Sequence, residues 1–206
     1  MRSPLRIAAI FAVALFAAVA VGCGAHTAGG VAPASPGAVA TPIVVLPLEN
    51  LASRVEYGDR VSRIVWGTVA ASGRFDAIEP GEVESAMNDV RVRSTGMLTR
   101  DQILKLSGRL KARWIMAGTL LECGTVRTPD GEVPSIALSL RILDGQTGRV
   151  AWTNMRARTG EDRETIFGWG RVSSLERLTD VTVRELIASI RIPAGTDSLA
   201  GHGDTK

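Results

Sequence analysis

Residues 135–152 read SIALSLRILDGQTGRVAW. In this stretch Ile136, Leu138, Leu140 and Ile142 alternate with Ala137, Ser139 and Arg141, a period of two that places one set on each face of a strand. One face of the resulting sheet is apolar and the other mixed. Asp144-Gly145-Gln146-Thr147-Gly148 supplies turn chemistry, and a second strand runs from Arg149 to Ala157. Upstream, Asp130-Gly131 marks another hairpin connection, and Trp114 to Thr125 supplies its first strand. Three consecutive strands therefore form the centre of the domain.

Working outward, Thr99 followed by Gln102 is a capping-box pattern that opens a helix carrying Ile103, Leu104, Leu106 and Leu110. Glu79-Pro80 opens another helix that reaches Val90, with proline in its first turn; Arg91 to Leu98 is a loop. Phe75 to Ile78 reads as a short strand. Val61, Ile64, Val65 and Val69 form a helical stripe within Val55 to Ser72, stopped by Gly73. Ile43-Val44-Val45-Leu46 is a continuous apolar run closed by Pro47, which suits a strand buried on both faces. A last helix spans about Ser173 to Ile190, with Leu175, Leu178, Val183, Leu186, Ile187 and Ile190 largely on one side. The order is β-α-β-α-α-β-β-β-α. It predicts an α/β domain over residues 42–192: a two- or three-layer sandwich with a mixed sheet of about five strands. A domain of roughly 150 residues buries about 68–70% of its unfolded surface, enough to fold without metal or disulfide.

Before this domain, Arg2 and Arg6 precede an apolar run from Ile7 to Val21 that ends in Ala20-Val21-Gly22-Cys23. The run is shorter than the roughly 20 residues a membrane-spanning helix needs, so residues 1–22 read as a secretory signal peptide. Ala20-Val21-Gly22-Cys23 resembles the lipobox of bacterial lipoproteins, which implies lipid on Cys23; an ordinary signal peptide with a coincidental cysteine is the alternative. Residues 24–41 are uncharged and rich in Gly and Ala, so 23–41 is expected to be a lipidated flexible tether. Residues 193–206 have similar character and are expected to be disordered. Gly24 is not the aspartate that retains enteric lipoproteins at the inner membrane, so an outer membrane facing the periplasm is the expected address. Cys123 then stays a lone thiol, read as a buried small hydrophobe.

The chemistry of catalysis finds few of its residues. A net charge of +3 over 206 residues, without a block of like charges, argues against nucleic-acid binding. His26 and His202 lie in the tether and tail, which disfavours a nucleophile-histidine site or a zinc set. No phosphate-binding glycine loop occurs, and Gly168-Trp169-Gly170 lacks the setting of a dinucleotide fingerprint. Asp59, Asp76, Glu79, Glu82 and Glu84 could in principle supply an acid pair, but Glu79, Glu82 and Glu84 have a plainer use at a helix N-terminus. No cofactor, metal or catalytic residue is expected. Trp66, Trp114 and Trp152 sit at core-facing positions, whereas Trp169, between glycines and after Phe167, is a candidate partner anchor. Arg141 on the mixed face of the sheet is another.

Four stretches together resemble one family. Ile43–Asn50 (IVVLPLEN) is similar to its opening V-A-V-L-P-F-E-N, and Ser72–Glu79 (SGRFDAIE) to its S-G-R-F-x-V-V-E. Lys111–Thr119 (KARWIMAGT) is similar to G-A-D-Y-I-L-x-G-x, and Leu140–Trp152 (LRILDGQTGRVAW) to L-R-L-V-D-x-x-T-G-E-V-L-W. The chain thus resembles the CsgG/LpoB-like group of envelope lipoproteins: the curli secretion lipoprotein, peptidoglycan-synthase activators and flagellar outer-membrane lipoproteins, with a fold shared by the N-terminal domain of TolB. The resemblance implies a non-enzymatic protein acting through an envelope protein partner, with a homo-oligomer left open. Curli-type pores need strands of about 9–11 residues in inserted hairpins. Val126 to Pro134 and Asp144 to Gly148, read as connections, are too short for these. The rival reading is an auxiliary subunit of a lipid or solute transporter.

Overall fold

The computed structural model describes residues 40–129, 131–162 and 172–192. Strand β1 (Thr41–Val45) lies inside the sheet, and its apolar run is divided between two cores. Ile43 and Val45 enter one, Val44 and Leu46 the other, and all four are buried. This is the double coverage expected of an uninterrupted apolar strand.

β1 pairs in parallel with β3 (Phe75–Ala77) at Thr41–Phe75 and with β4 (Trp114–Thr128) at Ile43–Trp114. β4, β5 (Gly131–Asp144) and β6 (Val150–Thr159) follow as antiparallel neighbours. The sheet runs β3-β1-β4-β5-β6, with a further strand, β2 (Glu49–Asn50), pairing β4 at Thr119 and Leu120. There are six strands where about five are expected. The additional one is two residues long, too short for any periodicity to reveal it.

Helices α1 (Val55–Ala71) and α4 (Leu175–Ala188) cover the face that carries Ile136, Leu138, Leu140 and Ile142. Helices α2 (Pro80–Val90) and α3 (Arg100–Leu110) cover the opposite face through Val83, Ala86, Ile103 and Leu106, which meet Val44, Leu46 and Ile115. The sandwich therefore has three layers. The capping box forms at α3: Thr99 Oγ1 accepts from the Gln102 amide at 3.2 Å, and Gln102 Oε1 accepts from the Thr99 amide at 3.0 Å. In the β5–β6 turn, Asp144 Oδ1 accepts from the Gln146 and Thr147 amides at 2.8 and 3.0 Å, and Gly148 adopts φ +71°.

Several boundaries move. Val126–Thr128 and Gly131–Pro134, read from sequence as part of a connection, continue the β4–β5 ladder as far as Thr128–Gly131. The last helix is shorter at both ends than predicted, with Ser174 Oγ accepting from the Arg177 amide as its cap. Asp130 lies outside the described residues.

Candidate functional site

Arg141 projects from the mixed face of β5, where the sequence pattern offers it for a partner. Its Nη2 donates to the carbonyls of Gly96 at 2.6 Å and Thr95 at 3.4 Å. Glu49 of β2 accepts from Ser94 Oγ at 3.2 Å and lies so close to Gly96 that a Cβ there would sit 1.7 Å from Glu49 Oε2. Two sheet residues, Arg141 and Glu49, thus fasten loop 91–98 across the mixed face. Arg141 is half-buried and engaged within the chain. Phe167, Trp169 and Cys23 lie outside the described residues, as do His26 and His202.

A cavity of about 320 Å³ opens between α1 and α4, lined by Tyr57, Val61, Ile64, Cys123, Leu175 and Thr179. Arg60 and Glu176 meet at 2.7 Å beside it. The Ser174 hydroxyl, then Arg60, holds the Glu176 carboxyl below the usual carboxylate range. Burial pushes the Cys123 thiol up, with Arg60 working weakly the other way, so the group is a neutral small hydrophobe. The volume is at the low end of the roughly 300–1,000 Å³ of small-molecule pockets, and its mouth is charged. A lipid tail is a poor fit to that shape.

The carboxylates considered for acid–base work are all exposed. Glu79 occupies the N-cap position of α2 without a side-chain cap bond, and Glu82 lies in its first turn. Among the described residues, no three His, Cys, Asp or Glu side chains converge to hold a metal. No described helix is long and apolar enough to cross a membrane.

The feature that sequence reading missed is a strand, β4, whose outer edge is paired over only half its length among the described residues. β1 and then β2 pair with β4 up to Leu120, whose carbonyl accepts from the Leu51 amide at 2.9 Å. There the chain of β2 turns away into α1. The ladder between β4 and β5 also slips at this point, leaving Leu121 as the extra residue of a bulge. From Glu122 to Thr128 no described strand pairs with β4 on the side away from β5. A groove of about 460 Å³ runs along this margin, lined by Leu51, Arg54, Tyr57, Leu121, Glu122 and Thr125 among others. The signal in the sequence was slight: Leu51 and Val55, apolar residues off the α1 stripe, and the Leu120-Leu121 doublet.

No family model matches the chain, and no curated protein matches it. Among solved structures it is similar to a variant of the PelC dodecamer from Paraburkholderia phytofirmans, at 18% identity and a TM-score of 0.50, over 72% of this chain and 87% of that one. It is also similar to the hypothetical protein CT253 from Chlamydia trachomatis, at 13% identity and a TM-score of 0.50, over 73% of this chain and 95% of that one. The LpoB C-terminal domain from Salmonella enterica is a more distant likeness, at 17% identity and a TM-score of 0.42 over 60% and 86% of the two chains. The three-layer α/β architecture is the fold this chain shares with PelC and CT253.

Proposed function

We propose that the chain is a bacterial envelope lipoprotein, held by lipid on Cys23 and facing the periplasm. It works without catalysis, through protein contacts, as an assembly, secretion or scaffold factor. The observation that carries this reading is the joining of two things in one chain. Ala20-Val21-Gly22-Cys23 and the uncharged segment after it have the pattern of a lipid tether, and the domain that follows has the fold of a protein that assembles as a dodecamer. A curli-type pore has less support. The part of β4 beyond its pairing with β2, Glu122–Thr128, is shorter than the roughly 9–11 residues a membrane strand needs.

The second reading is a tethered activator of a peptidoglycan synthase, or an accessory of a transporter. What supports protein surfaces, rather than a chemical site, as the means of action is that the carboxylates opening α2 are exposed and that Arg141 is engaged within the chain. The test has two parts. Incorporation of labelled palmitate into the wild-type chain, and its loss in Cys23→Ala, is the expected outcome; equal label in both would remove the lipoprotein reading. The native mass of the full-length protein in mild detergent then separates the roles. A closed assembly of many copies supports the scaffold, and a monomer supports the tethered activator or accessory.

A further inference from the structure

We propose that the end of the domain at which β1 begins is a basic face that rests on the anionic phospholipid headgroups of the membrane holding Cys23. This depends on the lipoprotein reading above and names the surface the domain turns toward that membrane. Thr41 opens β1 and pairs with Phe75, so the chain enters the domain beside Arg74. Ile43 pairs with Trp114, and Trp114 pairs with Asp144. The starts of β1, β3 and β4 and the β5–β6 turn therefore share one end of the sheet. Only residues 24–40 separate Cys23 from Thr41. A Gly- and Ala-rich segment of that length spans ~20–25 Å as a coil, so lipid on Cys23 keeps this end nearer the headgroups than the opposite one.

Arginines collect at this end. Arg74 donates to the carbonyls of Ile187 at 3.1 Å and Ile190 at 3.0 Å, which brings the close of α4, and with it Arg191, to the same place. Burial and then the neighbouring Arg191 hold the Arg74 guanidinium below its ordinary range, as two like charges side by side do. Arg113 precedes Trp114, with its guanidinium carbon 4.9 Å from the centre of that ring and its Nε 4.0 Å from Asp144. Arg100 donates to the Thr147 carbonyl at 2.9 Å, and the Arg149 carbonyl accepts from the Asp144 amide at 2.8 Å. The acids here are Asp144, buried and engaged in the turn, Asp76, one pair further along β3, and Asp101, matched by Lys105 at 2.7 Å. The sequence after Ile192 starts from this end as well and adds Asp197 and Asp204 against Lys206, too little to reverse the sign.

Folding alone does not call for this arrangement. Arg74 and Arg191 offset the negative end of the α4 dipole, but Arg100 is the first residue of α3, where the dipole disfavours a cation. Arg149 is exposed and makes no ion pair among the described residues. The opposite end carries no such excess: Arg54, Arg60 and Arg127 are each matched there by a glutamate, Glu56, Glu176 and Glu132. Each arginine near an anionic surface adds to the attraction, within a Debye length of about 10 Å at 0.1 M salt. A tethered domain meets its membrane at high effective concentration, so a net charge of a few is enough to hold one end down.

The test uses the full-length lipoprotein with Cys123→Ala, so that beside the lipidated Cys23 an introduced cysteine is the sole reactive thiol. Gln146→Cys at the basic end, or Ser53→Cys at the opposite end, carries a fluorescent donor; both residues are exposed. The protein is reconstituted in vesicles with an acceptor on the headgroups, made of phosphatidylethanolamine with phosphatidylglycerol or of phosphatidylcholine alone. On the anionic vesicles at about 0.05 M salt, energy transfer from the Gln146 site is expected to exceed that from the Ser53 site by about twofold or more. The excess is expected to fall by about half or more at about 0.5 M salt, and again on phosphatidylcholine. Arg149→Glu is expected to lower it to a similar extent while leaving the urea unfolding midpoint unchanged. Equal transfer from the two sites, or an excess indifferent to salt, to headgroup charge or to Arg149→Glu, would overturn the proposal and leave the lipoprotein reading standing. Wild type that does not float with phosphatidylcholine vesicles is not held by lipid, and that result would overturn both.

Discussion

Gly118 and Gly124 lie six residues apart in β4, and the same substitution at each is expected to act with opposite sign. A Cβ on Gly118 would sit 2.6 Å from Leu140 Cδ2, 2.7 Å from the Ser139 carbonyl oxygen and 2.8 Å from Leu48 Cδ2. The two leucine methyls could shift. The carbonyl belongs to the ladder with β5 and could not move without dragging the strand. Overpacking of this kind costs about 1–3 kcal/mol. Against it stands the lower conformational freedom of alanine in the unfolded chain, which stabilises the native state by about 0.4–1 kcal/mol. At Gly124 nothing lies within 4 Å of the added atom, so only the favourable contribution acts.

The unfolded-state contribution is common to both and cancels in the difference, which isolates the contact at about 1–3 kcal/mol. For a chain of this size that is a separation of ~2–12 °C in Tm. Urea unfolding followed by far-UV circular dichroism is the assay, with Gly118→Ala below wild type and Gly124→Ala at or slightly above it. If Gly118→Ala matched Gly124→Ala, the packing of Leu48 and Leu140 over that glycine would not be as described, and the position of β2's lead-in would be wrong.

Asp144→Ala removes the buried side-chain acceptor for the Gln146 and Thr147 amides, and is expected to cost about 1–3 kcal/mol in urea unfolding, with Asp144→Asn recovering part of it. Thr99→Ala is expected to cost about 1 kcal/mol; combined with Gln102→Ala the loss should fall short of the sum, because the two side chains complete one reciprocal cap. Burial raises the Cys123 thiol, so the native state keeps a proton that the unfolded chain releases above about pH 8.5. The stability this contributes is full below that pH and is lost as pH rises through the native value; wild type should therefore lose Tm faster than Cys123→Ala between pH 8.5 and 10 in a thermal melt series.

The parts of the fold that could be read from sequence are those fixed by neighbours in the chain. Ile136, Leu138, Leu140 and Ile142 alternate because one face of β5 is buried, and all four are in the core formed with α1 and α4. Thr99 and Gln102 announce α3 because a cap is built within four residues. What escaped was set by distant contacts. Arg141 reads as a partner contact from its strand position, and the sequence does not show that the Gly96 carbonyl, 45 residues away, accepts from it. Its place on a mixed face hinted at an internal acceptor, since a half-buried guanidinium needs one. β2 owes its existence to β4 alone: Glu49 and Asn50 have no pattern of their own and become a strand only where Thr119 and Leu120 offer a ladder.

The bulge at Leu121 joins these two levels. From Met116 through Gly118 to Leu120, alternate residues of β4 lie opposite Ile142, Leu140 and Leu138 of β5, on the face covered by α1 and α4. Strict alternation would bring Glu122 next onto that face, opposite Ile136, and place a carboxylate among buried aliphatic side chains. An unpaired buried carboxylate costs far more than a local break in the ladder. The extra residue resets the phase: Glu122 moves opposite Ala137, where it accepts from Ser135 Oγ at 2.6 Å, and Cys123 takes the core position opposite Ile136. Leu121 is left outside the alternation and partly exposed. The slip needed to keep Glu122 out of the core therefore leaves an apolar residue at the point where β2 departs from β4. The apolar-polar-apolar order Leu121-Glu122-Cys123, unremarkable as a string, sets the phase of β4 from there to its end.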